Sequence, residues 1–150
     1  MTTRCPRKRG RSNDHSRLAY CELLPSESPA DCVAFLRRAV NWYAERGVSI
    51  ERVLSDNGNG YRSFAWRDAC AKLGIQRRYT RPRRPQTNGK AERFIRTMLN
   101  GWAYGAIYRS SHERSRALDG WLWNYNHRRR HSALGHQPPA SRTNLLGSYN

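Results

Sequence analysis

Two carboxylates stand where their neighbours make them conspicuous. Glu92 is the one acid in "RRYTRPRRPQTNGKAERFIR", which runs from Arg77 to Arg96 and carries eight basic residues. Asp56 sits in "LSDNGNGYRS", just past a short apolar run, and 35 residues lie between the two acids. Two readings stand for Glu92. An ion pair with Arg96, four residues on, would suit a first helical turn that already favours acids. A metal ligand beside a nucleic-acid track is the other. The apolar positions Ala91, Phe94, Ile95, Met98, Leu99, Trp102, Ala103 and Ile107 recur at helical spacing, and at about 100° per residue Glu92 projects inside their face. A carboxylate on a buried face must be protonated, paired or metal-bound, because an isolated buried charge is too costly. Asp56 likewise has two readings: ordinary Asp-Asn-Gly turn chemistry, or a ligand group at the end of an α/β strand, where such sheets place them.

The surrounding charge says what these acids would act upon. The 150-residue chain has 28 Lys+Arg against 11 Asp+Glu, a formal net charge of +17, with arginine supplying almost all the excess. Arginine matches phosphate in bidentate fashion, so the expected partner is a polyanion, with nucleic acid ahead of a membrane surface. Cys5, Cys21, Cys32 and Cys70 lack metal-ligand or redox spacing and read as reduced thiols. The basic start "MTTRCPRKRGRS" has no apolar core of a secretory signal, and no apolar stretch approaches the ~20 residues of a membrane span. A soluble intracellular protein with no membrane role is expected.

The elements that must position the acids follow from periodicity. Length favours one domain, able to bury roughly 70% of its unfolded surface. Residues 1–12 read as a basic disordered arm, 13–142 as the folded unit and 143–150 as a tail. "SRLAYCELLP" reads as a strand stopped by Pro25. Residues 30–46 place Val33, Leu36, Val40 and Tyr43 on one helical face, with Gly47 as the stop. "VSIERVL" is a second strand, "SFAWRDACAKLG" a second helix and "IQRRYT" a third strand. A loop over 81–88 precedes a long helix capped by Asn88, and a last helix covers about 113–125. Trp102, Trp121 and Trp123 read as core between the last two helices. The order is that of an α/β domain.

Three motifs in one order, "SDNGNGYRS", "RPRRPQTNGKAERFIRT" and "YNHRRRHSALGHQPP", make the chain resemble the catalytic core of the retroviral-integrase superfamily, especially bacterial insertion-sequence transposases. The resemblance covers roughly residues 13–142. It implies a ribonuclease-H-like fold and an Asp-Asp-Glu triad, with Asp56 and Glu92 at its second and third positions holding two Mg²⁺ ions (Mn²⁺ as substitute). Such ions, about 3.5–4 Å apart, activate an attacking oxygen and stabilise a leaving one in phosphodiester cleavage and strand transfer. Mg²⁺ takes oxygen ligands and keeps several waters, so carboxylates suffice. The resemblance further implies Gln86 and Asn88 at the DNA end, Lys90, Arg93 and Arg96 on phosphates, and Arg81, Arg83 and Arg84 in a loop approaching DNA. Transposon ends and target duplex are the implied partners, with self-association as an accompanying expectation and a cytoplasmic, nucleoid-associated location.

The pattern departs from the family at its start. The family's first Asp precedes an Asp-His-Ser-Arg stretch, here Asp14–Arg17, and no residue upstream matches it. Asp14 is not assigned to the triad, and the first triad Asp stays unknown. The expected fold is an integrase core lacking its first two strands and the usual helix-turn-helix region. The chain by itself is expected to be inactive in strand transfer; a basic DNA-binding remnant and a nuclease of the same fold are the alternatives. Without those strands, "SRLAYCELL" and "VSIERVL" are not neighbours, and unpaired backbone groups would be left in the interior. His127 and His131, four apart, could bind zinc but lack a third ligand. Donation to phosphate is the preferred reading, and Arg130 stands where the family usually has proline.

Overall fold

A computed structural model describes residues 17–80 and 89–143, the side chains of residues 89–91 excepted. The described chain opens with an extended segment, 17–24, followed by α1 (Pro29–Ala44), β1 (Arg52–Ser55), α2 (Asn59–Arg62), α3 (Phe64–Lys72) and β2 (Gln76–Tyr79). Then come α4 (Gly89–Met98), a π-helical turn over Leu99–Ala103, α5 (Ser111–His127) and two 3₁₀ turns at Ser132–Leu134 and Pro139–Arg142. Three cysteines, Cys21, Cys32 and Cys70, are buried, and burial pushes the Cys70 thiol up to about 11, so it stays protonated at neutral pH.

β1 and β2 form a parallel pair in the register Arg52↔Gln76 through Ser55↔Tyr79. Parallel strands need a crossover, and α2–α3 supplies it. Ser63 stops α2 and starts α3, its Oγ accepting from the Trp66 amide at 3.2 Å in the usual manner of a helix cap. Trp66, Ala69 and Cys70 of α3, Val53 of β1 and Ile75 pack with Cys32 and Leu36 of α1 into one core. Gly60 is fixed by this packing: a Cβ there would stand 2.7 Å from the Cys32 sulfur and 2.9 Å from the Glu27 carbonyl.

α1 begins as its sequence dictates. The Ser28 Oγ accepts from the Asp31 amide at 3.1 Å, Pro29 occupies the first turn, where a missing N–H costs nothing, and Gly47, at φ +67°, ends the run. Cys32, Phe35, Leu36, Ala39 and Tyr43 form its buried stripe; Val33 and Val40 lie at the margin.

The stretch expected as a first strand keeps the side-chain alternation of one but is not a strand. Leu18 packs with Tyr43 and Val48, and Tyr20 lies against Phe35 and Trp42. Glu22 pairs with Arg38 at 2.8 Å. The intervening Ala19, Cys21 and Leu23 face the other way, into a core built by Met98, Trp102, Leu118, Leu122 and Tyr125. The segment is therefore a seam between α1 and the α4–α5 layer. Its backbone finds a side-chain partner in place of a neighbouring strand: the buried Asn126 amide accepts from Ala19 N at 2.9 Å and donates to Ala19 O at 2.7 Å. The Tyr43 hydroxyl donates to Leu18 O at 2.9 Å.

The π turn re-aims the end of the α4 helix. Phe94, Met98 and Trp102 face α5, and Trp102 Nε1 donates to Arg114 O at 2.8 Å. Ile107, expected on the same face, lies beyond the helix and is 97% exposed. α5 opens on a reciprocal cap: Ser110 Oγ accepts from Glu113 N at 3.1 Å, and the Glu113 carboxylate accepts from Arg109 N at 2.8 Å. Trp121 joins this layer, half-buried, but Trp123 does not. It lies on the outer face of α5, 49% exposed, which corrects its reading as core.

Candidate active site and nucleic-acid face

Because β1 and β2 run parallel, both end on the same edge of the pair, and Asp56 follows β1 there. That edge is tied together. Thr80 N donates to Ser55 O at 2.9 Å, and the Asn57 side chain donates to Thr80 O at 3.0 Å. Asp56 itself is exposed, with Oδ1 accepting from Gly58 N at 2.9 Å, so the turn reading and an outward carboxylate hold together in one conformation. The Tyr79 hydroxyl donates to Tyr61 O at 2.9 Å, locking the end of β2 to the α2 turn. Ser55 Oγ, next to Asp56, is buried with no hydrogen-bond partner.

Glu92 lies in the first turn of α4 and is exposed, contrary to its expected place inside the buried face. The stripe that α4 buries runs through Phe94, Met98 and Trp102, at i, i+4 and i+8. Glu92 falls beyond its edge, on the side of the half-buried Ile95 and Leu99. The Arg96 ion pair is not formed either: among the described residues no hydrogen bond or ion pair engages the Glu92 carboxylate. Arg93 and Arg96 are exposed on the same helix. Lys90 lies in α4, its side chain outside the described set. Arg81, Arg83, Arg84, Gln86, Asn88 and Asp14 lie outside the described residues.

Asp56 and Glu92 thus stand on separate elements, one at the strand edge and one in the first turn of α4. Among the described residues no group of three or more His, Cys, Asp or Glu side chains could hold a metal ion. The donors present are two solvent-facing carboxylates, oxygen only, a set that suits a hard cation retaining its own waters and not zinc or copper.

The two histidines considered for zinc serve other contacts. His127 stacks on Trp123, ring centroids 5.0 Å apart, with Nδ1 3.0 Å from Trp123 O. His131 meets the Tyr125 ring edge-on at 5.1 Å. Burial first, then the charges of Arg17 and Arg129, hold its pKa below the ordinary imidazole value. Arg128 lies over the Trp123 ring at 5.1 Å and Arg129 over Tyr125 at 5.9 Å. Sequence reading missed this aromatic–arginine surface because it took the tryptophans for core; the run "NYNHRRR" was the available signal.

Two family models, both described as integrase core domain, match residues 13–85 and 73–139. An uncharacterized protein of insertion element IS136 from Agrobacterium fabrum is 30% identical over 93 residues, covering 62% of this chain and 48% of that protein. A putative transposase InsD for insertion element IS2E from Escherichia coli is 31% identical over 86 residues, covering 57% of this chain and 39% of that protein. The chain therefore spans about half the length, or less, of these relatives. Among solved structures, the catalytic core domain of BIV integrase superposes with a TM-score of 0.65 at 19% identity, over 93% of this chain and 89% of that one. A simian T-cell lymphotropic virus intasome chain gives 0.68 at 20%, over 89% and 46%. These likenesses carry the fold, which is the ribonuclease-H-like fold of integrase cores, here with a sheet of two strands among the described residues. The two family models match in sequence order and together span residues 13–139, so over most of its length the chain is similar to integrase core domains.

Proposed function

We propose that the chain supplies part of the catalytic core of a DNA transposase or integrase, whose activity is metal-dependent DNA strand cleavage and strand transfer. The observation that carries this reading is the state of Glu92. It is the lone acid of a basic segment, yet it takes no cationic partner among the described residues although Arg93 and Arg96 share its helix. The working unit is residues 13–142, between a basic segment at 1–12 and a tail at 143–150.

Asp56 and Glu92 are the carboxylates that would hold Mg²⁺, or Mn²⁺ in its place. When bound, the ion activates the attacking oxygen and stabilises the departing one. The remaining work falls to the chain. Gly58 N–H and the Asn57–Thr80 bond fix Asp56 at the strand edge. The anchoring of α4 through Met98 and Trp102 leaves its exposed face to Arg93 and Arg96, which pair with phosphates; Lys90 is the third basic residue of the helix. Arg81, Arg83, Arg84, Gln86 and Asn88 are the further candidates for contact with the DNA end. Only two of the triad's three positions are matched by residues of this chain, so it binds DNA without joining it. The partners are transposon ends and target duplex, and the setting is the bacterial cytoplasm. No helix among the described residues is long and apolar enough to cross a membrane.

The test is a labelled terminal-repeat duplex offered to the purified chain in Mg²⁺ or Mn²⁺. Binding should weaken with salt at a log–log slope of about −0.9 per neutralised phosphate, and the Arg93→Ala/Arg96→Ala variant should lose roughly two such contacts. No joining to plasmid should occur. Salt-independent binding would refute the DNA reading. Joining that disappears in Glu92→Gln would refute the two-carboxylate account.

A further inference from the structure

At the C-terminal end of α5 an open groove of about 260 Å³ is lined by Trp121, Asn124, Tyr125, Arg128 and Arg129. We propose that it takes an unpaired nucleotide of a DNA strand, its base against a wall formed by the half-buried Trp121 ring, which the buried Tyr125 backs, and its phosphates on Arg128 and Arg129. The inference rests on the DNA reading above but concerns a second contact, on a different element from Asp56 and Glu92.

The wall is built before any ligand arrives. Trp121 and Tyr125 stack at 5.4 Å with 26° between ring planes, and Phe94 backs both, at 6.1 and 4.9 Å. The α4 extension comes so close that a Cβ on Gly101 would stand 2.6 Å from Trp121 Nε1. A platform of this kind accepts any base, since every base has a π-face. Asn124 stands at the rim; its Nδ2 donates to Gly120 O at 3.1 Å, which leaves the side-chain carbonyl to accept from a base N–H.

Charge selects the class of ligand. Among the described residues no carboxylate lines the groove, and neither Arg128 nor Arg129 has an acidic partner. Arg130 follows them, and His127 and Trp123 continue the aromatic surface outward. Arginine and tryptophan also anchor protein interfaces, but a protein filling this groove would need to be acidic, and the chain carries +17. Size selects the form. The volume lies below the range of about 300–1,000 Å³ typical of pockets for drug-sized ligands. A groove of this size takes one flat ring.

The experiment measures fluorescence anisotropy of a labelled oligothymidylate, a labelled hairpin duplex and a labelled thymidine nucleotide. They are titrated with the full chain and with Arg128→Ala/Arg129→Ala, Asn124→Ala and Trp121→Leu. The two exposed-site variants do not touch the core; Trp121→Leu is read only if its circular dichroism matches wild type. The arginine double variant should bind the single strand about tenfold more weakly, with a salt slope shallower by about 1.4. Trp121→Leu should lose about tenfold through stacking. Duplex binding should stay within about threefold of wild type, because Arg93 and Arg96 carry it. Unchanged single-strand binding in the groove variants, while Arg93→Ala/Arg96→Ala weakens duplex binding, would overturn the groove alone. No binding of either DNA form by wild type would overturn the DNA reading with it. The free nucleotide binding as tightly as the oligonucleotide, or a variant effect on sedimentation and none on DNA, would overturn the strand in favour of a small ligand or a second copy.

Discussion

The Asn126 side chain and the Ala19 backbone exchange two buried hydrogen bonds, at 2.9 and 2.7 Å, across 107 positions of sequence. A primary amide presents a donor and an acceptor side by side, as a neighbouring strand would. Asn126 of α5 thus gives Ala19 the pairing that a neighbouring strand would give it, as the Tyr43 hydroxyl does for Leu18 O.

Removing it should cost accordingly. Asn126→Ala leaves an N–H and a C=O buried without partners, and each such group costs about 1–3 kcal/mol. We expect a loss of about 3 kcal/mol, read as a lower urea midpoint at unchanged m-value. A shift under about 0.5 kcal/mol, the scale of an ordinary surface change, would show that water replaces the amide at no cost.

Gly60 makes a second, sharper case. Gly60→Ala drives its new methyl group against the Cys32 sulfur and the Glu27 carbonyl, and overpacking of this kind costs about 1–3 kcal/mol. Adding Cys32→Ala relieves the first clash and not the second, so the double variant should recover only part of the loss. Thermal unfolding of the three variants measures this, and full recovery would show that the carbonyl yields.

His131 gives the pH dependence. Its folded pKa lies below the ordinary 6.5 through burial and the charges of Arg17 and Arg129, and its Nε2 has no hydrogen-bond partner. The unfolded chain therefore takes the proton first as pH falls, and stability must drop as the pH passes below 6.5 toward the folded value. Above that window the contribution vanishes. Urea unfolding of wild type and His131→Gln across this range should show the shallower slope in the variant; equal slopes would assign the dependence to other groups.

Much of the framework was legible in the sequence. Gly47 and the glycine that closes "SFAWRDACAKLG" marked helix ends by local chemistry, and "VSIERVL" and "IQRRYT" held β1 and β2. Failures came where a tertiary contact decides. Nothing in "SRLAYCELLP" says that its alternating faces meet two helical layers and not a sheet. The π turn at Leu99–Ala103 broke the 100° periodicity that placed Ile107 and Glu92 on the buried face. Trp123 was read by residue type, but its side of α5 has no layer to meet.

Glu92 carries the central claim, and metal binding tests it most directly. Free Mn²⁺ can be followed by electron paramagnetic resonance as it is titrated with the wild-type chain, Asp56→Asn and Glu92→Gln. Asparagine keeps the Oδ1 acceptor for Gly58 N–H and glutamine sits on an exposed turn, so both variants should fold as wild type does. The account predicts one bound ion in the wild type, competed by Mg²⁺ and lost in each variant. Equal Mn²⁺ uptake by all three chains, or none by the wild type, would contradict it.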